Sequence, residues 1–159
     1  MSITVHDNFL GNEKREEVLN FISNLKYVSG EQDREDTPPT GEVCELVSKD
    51  LDIPNFIEEK FNRSLGLVSR FYVNKFEPQE LPYWHDDGEC TTYLYYPCDV
   101  NNLDEGGETQ FLLDNKILAV PYAPDRLVEF NGRIPHCAKS FRSQTRYTIA
   151  IKYRDIPWS

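Results

Sequence analysis

The spacing of hydrophobic residues along the chain changes near residue 67. Before this point apolar residues recur every three or four positions, which is typical of helices that bury one face. After it, apolar and polar residues alternate over short runs, which is typical of strands with one buried face. The pattern predicts helical support and loop over residues 1–66 and a β-rich core over residues 67–155.

Two helices are predicted in the N-terminal region. The first begins near Asn12, whose side chain can cap it. The second covers about residues 54–62, with Asp52 as its cap. The inward-facing residues are Val18, Phe21, Ile22 and Leu25 in the first helix and Phe56, Ile57 and Phe61 in the second. Residues 29–41, rich in turn-forming and acidic residues, predict a surface loop between the helices.

The β-rich region contains about eight short strands separated by turn residues. The clearest alternating runs are residues 70–76, 90–96, 109–113, 116–120, 126–130, 137–141 and 146–153. Two helices followed by many short strands favour a mostly β fold, a sheet or barrel supported by helices on one face. The chain has 159 residues and no internal linker, so a single domain over residues 1–159 is predicted.

Composition narrows the classes of function and location. A formal net charge of −10 argues against nucleic acid as a partner, because phosphate binding requires a basic face. No apolar run approaches the roughly 20 residues that span a bilayer, so no membrane partner is expected. The four cysteines have no CxxC spacing, and the N-terminus lacks the pattern of a signal peptide. These features predict free thiols and a cytoplasmic protein.

The segment of residues 83–88 holds the strongest candidate chemistry. It contains His85, with Asp87 two positions later. Alternate residues of a strand share a face, so His85 and Asp87 can point together, whereas Asp86 remains the alternative ligand if the strand ends early. An isolated His-x-Asp is more often part of a surface turn than of a metal site. A second histidine, His136, lies at the start of a predicted strand. Two imidazoles and one carboxylate suit a facial metal triad with open coordination positions.

The last predicted strand places an arginine, Arg146, on the inner face of the β-rich core. Its apolar face carries Tyr147, Ile149 and Ile151, and its other face carries Arg146, Thr148 and Ala150. An inward-facing arginine is costly unless an anion meets it. Two partners are open at this point: an internal carboxylate of the protein, or the carboxylate of a ligand bound through paired hydrogen bonds.

Five motifs in order resemble the iron(II)- and 2-oxoglutarate-dependent dioxygenases, in particular the prolyl 4-hydroxylase-like branch. They are His-Asp-Asp at 85–87, Cys-Thr-Thr-Tyr-Leu-Tyr-Tyr at 90–96, Gly-Gly-Glu-Thr-Gln-Phe at 106–111, Pro-His at 135–136 and Thr-Arg-Tyr-Thr-Ile-Ala-Ile at 145–151. The resemblance covers more than half of the chain, roughly residues 67–153. It implies a double-stranded β-helix, also called a jelly roll and similar to cupins.

The resemblance also implies the roles of individual residues. Iron would be held by His85, Asp87 and His136, with no catalytic residue beyond the metal centre. Arg146 would bind the distal carboxylate of 2-oxoglutarate, and Tyr96 would share it. Phe76 falls near a position where the family often has a tyrosine. Further contacts to the cosubstrate are therefore expected from residues on the inner faces of their strands: Tyr72, Asn74 and Thr148, with Thr109 as a pocket-lining residue or turn feature.

The implied reaction is hydroxylation of a C–H bond with O2, in which 2-oxoglutarate becomes succinate and CO2. Ascorbate would be an optional accessory reductant. The presence of Asp87 favours hydroxylation, because halogenating relatives carry a small residue there. The implied partner is a peptide or protein, with a prolyl residue as the first candidate. Rim segments 29–41 and 77–83 are candidate lids, and Tyr83, Trp84 and Tyr95 are either an aromatic groove or core packing.

Two alternatives remain beside a peptide hydroxylase. The same chemistry on a free amino acid or small metabolite would require a narrow, closed pocket. A cupin-like metal-binding module without oxygenase activity would have no cosubstrate. In that case Arg146 should pair with a carboxylate of the protein itself.

Overall fold

Ten strands and two helices form in the computed structural model, which describes residues 2–30 and 32–154. The helices are α1 (Asn12–Ser23) and α2 (Ile53–Phe61). The strands are β1 (Ile3–His6), β2 (Val28–Ser29), β3 (Glu42–Glu45), β4 (Val68–Phe76), β5 (Cys90–Tyr96), β6 (Thr109–Leu113), β7 (Lys116–Val120), β8 (Arg126–Asn131), β9 (His136–Ala138) and β10 (Arg146–Arg154).

The strands form two antiparallel sheets. The larger sheet has seven strands in the order β1-β8-β5-β10-β4-β3-β2, and the smaller has three in the order β7-β6-β9. Every pairing is antiparallel, and the neighbours from β1 to β4 in the larger sheet are distant along the chain, whereas β4, β3 and β2 are consecutive strands. The predicted fold class, mostly β with supporting helices and a jelly-roll core, is confirmed.

Most strands agree with the alternation in the sequence. Residues 90–96, 109–113 and 116–120 form strands with the predicted bounds. Strand β9 ends at Ala138, three residues before its predicted end. Phe141 instead forms an isolated bridge with Gly106, and its ring is buried.

The N-terminal region contributes strands as well as helices. Strand β1 pairs with β8 at one edge of the larger sheet, and β3 pairs with β4 near the other. The sequence pattern predicted none of β1, β2 and β3. These strands have only two to four residues, too few for a clear alternation.

Both helices form, but neither predicted cap makes a side-chain capping hydrogen bond; Asp52 occupies the N-cap position of α2 as predicted, whereas Gly11 and not Asn12 is the N-cap of α1. Asn12 is the first helical residue, and its Oδ1 accepts hydrogen bonds from Arg15 instead of capping backbone amides. Asp52 precedes α2 without a side-chain cap, and its carboxylate binds Lys14 Nζ at 3.0 Å. Neither helix among the described residues has the length and apolar character needed to cross a membrane.

Two buried clusters lie on opposite faces of the larger sheet. One packs the helices against the outer face and contains Ile22, Ile57, Ile149 and Ile151. The other fills the space between the two sheets and contains Ala150. Successive residues of β10 therefore face opposite clusters, which confirms the strand parity predicted for it. The chemistry of the chain lies on the inner face, between the sheets.

Candidate functional site

His85, Asp87 and His136 meet between the two sheets. One ligand atom from each of the three lies within 4.8 Å of the others. His85 and His136 form an isolated bridge: the amide of His85 donates to the carbonyl of His136 at 3.1 Å, and the reverse bond measures 2.8 Å. The Asp87 amide donates to the Gly132 carbonyl at 2.7 Å. These backbone bonds, and not a continuous strand, place His85 and Asp87 side by side.

Asp86, the alternative ligand, points away from the cluster. Its side chain is exposed, and its Oδ1 accepts a hydrogen bond from the amide of Gly88 at 3.0 Å. Gly132 is required on the opposite side of the turn. A Cβ there would lie 2.5 Å from Cys90 Sγ, 2.9 Å from the Gly88 carbonyl oxygen and 3.1 Å from Asp87 Cβ, so a larger residue would force a shift in the turn that carries Asp87.

Both imidazoles direct the same nitrogen toward the centre. His136 Nδ1 lies 2.8 Å from the Ile134 carbonyl, and His85 Nδ1 lies 3.2 Å from the Tyr83 carbonyl. A carbonyl can only accept, so each Nδ1 carries the hydrogen and each Nε2 keeps its lone pair. The Nε2 atoms lie 3.5 Å and 3.7 Å from the carboxylate oxygens of Asp87, for His136 and His85 respectively. Three donors therefore converge on one point.

The electrostatics hold these groups in their metal-binding forms. Burial is the main cause that lowers the pKa of His136, which favours the neutral imidazole. Burial opposes ionisation of Asp87, but His136, Lys152 and a hydrogen bond from Thr92 outweigh it and hold the pKa of the carboxyl below its usual value. A neutral imidazole and a carboxylate are the forms that bind a metal ion. The donor set of two imidazoles and one carboxylate fits a non-haem iron(II) site with open positions.

Arg146 lies in the same pocket, where the described residues offer its charge neutral acceptors and the rings of Tyr96 and Tyr122 but no carboxylate. Its side chain is 1% exposed. The guanidinium donates to the Gly107 carbonyl at 3.0 Å, to Thr148 Oγ1 at 2.7 Å and to Thr109 Oγ1 at 3.2 Å, all neutral acceptors. Within residues 2–30 and 32–154, no carboxylate forms an ion pair with it. The internal salt bridge left open by the sequence is therefore not formed among these residues.

The pocket joins Arg146 to the metal-binding triad. Its wall is formed by inner-face residues of β4, β5, β6, β9 and β10 and by two residues of the loop before β3. The lining residues are Asp33, Thr40, Tyr72, Asn74, Phe76, Pro82, His85, Asp87, Thr92, Leu94, Thr109, His136, Ala138, Arg146 and Thr148. Tyr72, Asn74 and Thr148 are thus brought to the pocket, and so is Thr109. Phe76 faces it too, as strand parity predicts.

Tyr96 lies behind the pocket wall and does not line it. Its side chain is fully buried, and its ring stacks on Tyr122 with 4.3 Å between ring centroids. The hydroxyls of Tyr96 and Thr109 are 2.5 Å apart, and Thr109 also accepts a hydrogen bond from Arg146. Burial raises the pKa of Tyr96, so the phenol remains protonated. The Tyr96 hydroxyl therefore reaches the guanidinium through Thr109, and the Tyr96 ring lies 5.7 Å from Arg146 Cζ.

Three residues of the site were not identified from the sequence. Lys152 Nζ lies 3.1 Å from Asp87 Oδ1, and Thr92 donates to Asp87 Oδ2 at 2.8 Å. Asp33 Oδ1 lies 3.5 Å from His85 Nδ1. Lys152 lies six residues after Arg146 and shares its strand face, so alternation along β10 indicates it. Thr92 lies four residues before Tyr96, so the same alternation along β5 places it on the inner face. Asp33 belongs to an irregular loop, where no periodic signal exists.

The proposed aromatic groove is not formed as expected. Tyr95 is fully buried on the helix-covered face, where its hydroxyl donates to Asp125 Oδ1 at 2.6 Å. Of the two alternatives for Tyr95, core packing is therefore the one that forms, because odd-numbered residues of β5 face away from the pocket. Tyr83 and Trp84 are half-buried near its rim, and neither lines it.

The two rim segments contact each other. Arg34 donates to the Trp84 carbonyl at 2.8 Å, and Asp33 Oδ2 accepts a hydrogen bond from the Tyr83 amide at 2.9 Å. Asp33 also accepts one from Thr40. The loop before β3 therefore closes over the side of the pocket that holds His85.

Comparison with known proteins identifies the fold. No family model and no curated protein matches the chain. Its structure is similar to a prolyl hydroxylase from Trichoplax adhaerens, solved in complex with a peptide fragment of the hypoxia inducible factor oxygen degradation domain. The TM-score is 0.76 at 22% sequence identity, over 96% of this chain and 83% of that one.

Two further structures are similar over nearly the whole chain. A prolyl-4-hydroxylase from Pseudomonas putida gives a TM-score of 0.75 at 15% identity, over 97% of this chain and 93% of that one. A viral collagen prolyl hydroxylase from Paramecium Bursaria Chlorella virus-1, in complex with 2-oxoglutarate, gives 0.73 at 15% identity, over 98% and 97%. The chain therefore has the jelly-roll fold of the 2-oxoglutarate- and iron(II)-dependent oxygenases, and the resemblance predicted from its motifs is confirmed at the level of the fold.

Proposed function

We propose that this protein is an Fe(II)/2-oxoglutarate-dependent dioxygenase that hydroxylates a C–H bond. One observation carries the proposal: a buried arginine without a carboxylate partner among the described residues shares a pocket with a His-Asp-His cluster. A fold alone does not define a function, but these two features together match the two ends of a metal-chelating dicarboxylate. His85, Asp87 and His136 would hold the iron.

Arg146 provides the anion-binding end of the pocket. A guanidinium binds a carboxylate through paired, charge-assisted hydrogen bonds. Thr109 and Thr148 accept from its two terminal nitrogens and fix the plane of the guanidinium before a ligand arrives. The distal carboxylate of 2-oxoglutarate would bind there, supported by Tyr72 and Asn74 on the neighbouring strand. Tyr96 would orient Thr109 from behind.

The metal supplies the oxidative chemistry when it is bound: with O2 it couples conversion of 2-oxoglutarate to succinate and CO2 to hydroxylation of the substrate. The chain itself orients the groups and limits the entry of water. Phe76, Leu94 and Ala138 contribute apolar surface to the pocket wall. This surface favours a reaction in a partly dehydrated site. Ascorbate would act as an accessory reductant outside the turnover itself.

A prolyl residue in a peptide or protein is the first candidate substrate. Support comes from the similarity to three prolyl hydroxylases, one of which was solved with a peptide fragment. A free amino acid or small metabolite is the second candidate. The contacts of Asp33 with Tyr83 and of Arg34 with Trp84 narrow the entrance on one side, which favours a small substrate.

The test begins with cosubstrate binding. Protein purified without oxygen is mixed with Fe(II) and 2-oxoglutarate, and the metal-to-ligand charge-transfer absorbance is recorded. We expect a band in the wild type, none in Asp87→Ala, and a much weaker affinity for 2-oxoglutarate in Arg146→Ala. Arg154→Ala, which removes an exposed arginine that does not line the pocket, is the matched control and should behave as the wild type.

The outcomes separate the candidate functions. A wild type without a band would refute the dioxygenase and leave a cupin-like metal-binding module. A normal band in Arg146→Ala would assign that arginine to structure alone. With oxygen admitted, mass spectrometry then looks for the gain of one oxygen atom on proline-containing peptides and on free amino acids. This step distinguishes the peptide substrate from the small one.

A further inference from the structure

Asp87 differs from the two histidines of the triad in the way its backbone is held. His136 lies on β9 and His85 forms a bridge with it, whereas Asp87 lies in an irregular turn. The Asp87 amide donates to the Gly132 carbonyl at 2.7 Å. This bond sets the position of the Asp87 backbone but not the rotation of its carboxylate, which depends on contacts of the side chain.

Thr92 makes such a contact from the inner face of β5. Its Oγ1 donates to Asp87 Oδ2 at 2.8 Å. A carboxylate can only accept, so the single hydroxyl hydrogen of Thr92 lies in this bond. Thr92 lines the pocket and is 1% exposed. The bond is therefore a charge-assisted hydrogen bond that is shielded from bulk water, which is the stronger kind.

The hydroxyl of Thr92 is itself fixed in position. Strand β5 pairs with β10 on one side and with β8 on the other, and both pairings include Thr92. A β-branched side chain has few accessible χ1 rotamers. Cys90 Sγ lies 3.5 Å from Thr92 Oγ1, and the thiol is the donor between them because the hydroxyl hydrogen is directed to Asp87. A rigid strand thus holds the group that contacts the turn.

Another donor to Asp87 is less rigid. Lys152 Nζ lies 3.1 Å from Oδ1, the other carboxylate oxygen. A lysine ammonium ends a flexible four-carbon chain, whereas the threonine hydroxyl is attached directly to Cβ. Of these two contacts, the Thr92 hydroxyl is therefore the one that can define the plane of the carboxylate.

We propose that Thr92 is a positioning residue of the metal site: its hydroxyl fixes the rotation of the Asp87 carboxylate, so that the carboxylate faces both imidazoles before a metal binds. The inference rests on the proposed function for the identity of the ligands and adds a residue that the metal does not touch. Without the hydroxyl, a rotating carboxylate must be ordered when the metal binds. Loss of such an orienting group lowers metal affinity by about 10- to 100-fold in known sites.

The test replaces the hydroxyl in two matched ways. Thr92→Val keeps the shape of the side chain and removes the hydroxyl. Thr92→Ser and Thr92→Ala form a pair that differs in the hydroxyl alone, and this pair decides the question even if Thr92→Val does not fold. Thr91→Val is the control, because it is the same substitution on the opposite face of β5, and Thr91 does not line the pocket.

Co(II) is titrated into each metal-free protein. Calorimetry gives the dissociation constant, the visible absorption of bound Co(II) reports its coordination, and thermal unfolding of the metal-free protein checks the fold. We expect Thr92→Val and Thr92→Ala to bind Co(II) at least about tenfold more weakly than the wild type, with altered visible absorption. Thr92→Ser should restore both the affinity and the absorption, and Thr91→Val should match the wild type.

The contrary outcomes are distinct. Wild-type affinity and absorption in folded Thr92→Ala would overturn the inference. So would an equal loss in Thr92→Ser and Thr92→Ala, because the loss would then not come from the hydroxyl. A wild type that binds neither Co(II) nor Fe(II) would overturn the metal site together with the inference. If the variants behave as expected and the wild type gives no charge-transfer band with Fe(II) and 2-oxoglutarate, the role of Thr92 stands and the dioxygenase fails.

Discussion

His85 and His136 exchange two backbone hydrogen bonds, and their rings meet edge to face with 4.4 Å between centroids. The bridge joins an irregular segment to β9, so the backbone sets the distance between the two imidazoles. A site fixed in this way is organised before any metal binds, because its geometry does not depend on the ion. Metal-free and metal-bound protein should therefore differ little in backbone structure.

Replacing the two neighbouring aspartates one at a time should show which of them binds the metal. Asp87→Ala should remove tight binding of Fe(II) or of Co(II) as a spectroscopic probe, because a triad member is lost. Asp86→Ala should bind the metal as the wild type does, since Asp86 is exposed and bonds only to the Gly88 amide among the described residues. Calorimetric titration of the metal checks both. Equal losses in the two variants would contradict the assignment of Asp87.

Asp33→Ala should weaken metal binding without unfolding the protein. Asp33 lies 3.5 Å from His85 Nδ1 and supports the orientation of that ring. Loss of such outer support costs metal affinity by about 10- to 100-fold in known sites. Metal titration measures the change, and thermal unfolding of the metal-free protein serves as the control. Asp36→Ala, an exposed change in the same loop, should leave the affinity unchanged.

Gly107→Ala should damage both stability and cosubstrate binding. Gly107 has φ +80°, and a Cβ there would lie 2.2 Å from Phe141 Cε1. The Gly107 carbonyl also accepts from Arg146 Nε, so any displacement moves the guanidinium. Gly11→Ala is the matched control, since Gly11 has φ +91° with no atom within 4 Å of the added Cβ.

The two glycine variants should differ in a measurable way. Gly11→Ala should cost about 1 kcal/mol of unfolding free energy from backbone strain alone. Gly107→Ala should cost more and should also raise the dissociation constant of 2-oxoglutarate. Urea unfolding and titration of the charge-transfer band provide the two measurements. Equal costs would mean that Phe141 moves aside freely.

The protein should lose stability at alkaline pH. Burial is the main cause that raises the pKa of Tyr93 to about 12 and that of Tyr153 to about 12. Unfolded tyrosine ionises near pH 10, so between about 10 and 12 the unfolded chain binds fewer protons than the native one. Unfolding free energy should therefore fall as pH rises, by at most about 1.4 kcal/mol per pH unit for each tyrosine.

Tyr153→Phe tests this dependence. It removes one of the two phenols and should make the alkaline slope shallower. The hydroxyl of Tyr153 donates to the Pro54 carbonyl at a long 3.4 Å, so the change should cost little at neutral pH. Urea unfolding across the alkaline range, followed together with tyrosinate absorbance, provides the measurement. An unchanged slope would mean that Tyr153 ionises equally in both states.

Sequence patterns predicted the inner strands because their two faces differ in polarity. In β10, Ile149 and Ile151 pack under the helices while Arg146 and Thr148 face the pocket, and this alternation is visible in the sequence. The same parity selected Asp87 over Asp86. The selection agrees with the geometry, although the segment is a turn held by the Gly132 carbonyl and not a strand.

Other features could not be found because they depend on tertiary contacts. Asn12 and Asp52 have the residue types of helix caps, but nearby cations take their side chains. Asp33 reaches His85 across a loop with no periodic pattern. Tyr95 was considered for the pocket as an aromatic near the site, and its odd position on β5 directs it to Asp125 instead. Strand alternation also places Lys152 on the face of Arg146, but Lys152 lies just after the family motif of residues 145–151 and was not predicted as a site residue.

Strand β10 occupies the middle of the seven-stranded sheet, with three strands on either side. Its amides should therefore be among the slowest in the chain to exchange with deuterium, requiring global unfolding for their release. Arg146 and Lys152 are both anchored on this strand, whereas Asp33 lies on a peripheral loop. Local opening of the rim would therefore leave Arg146 in place, so the anion-binding end of the pocket would keep its position while ligands enter and leave.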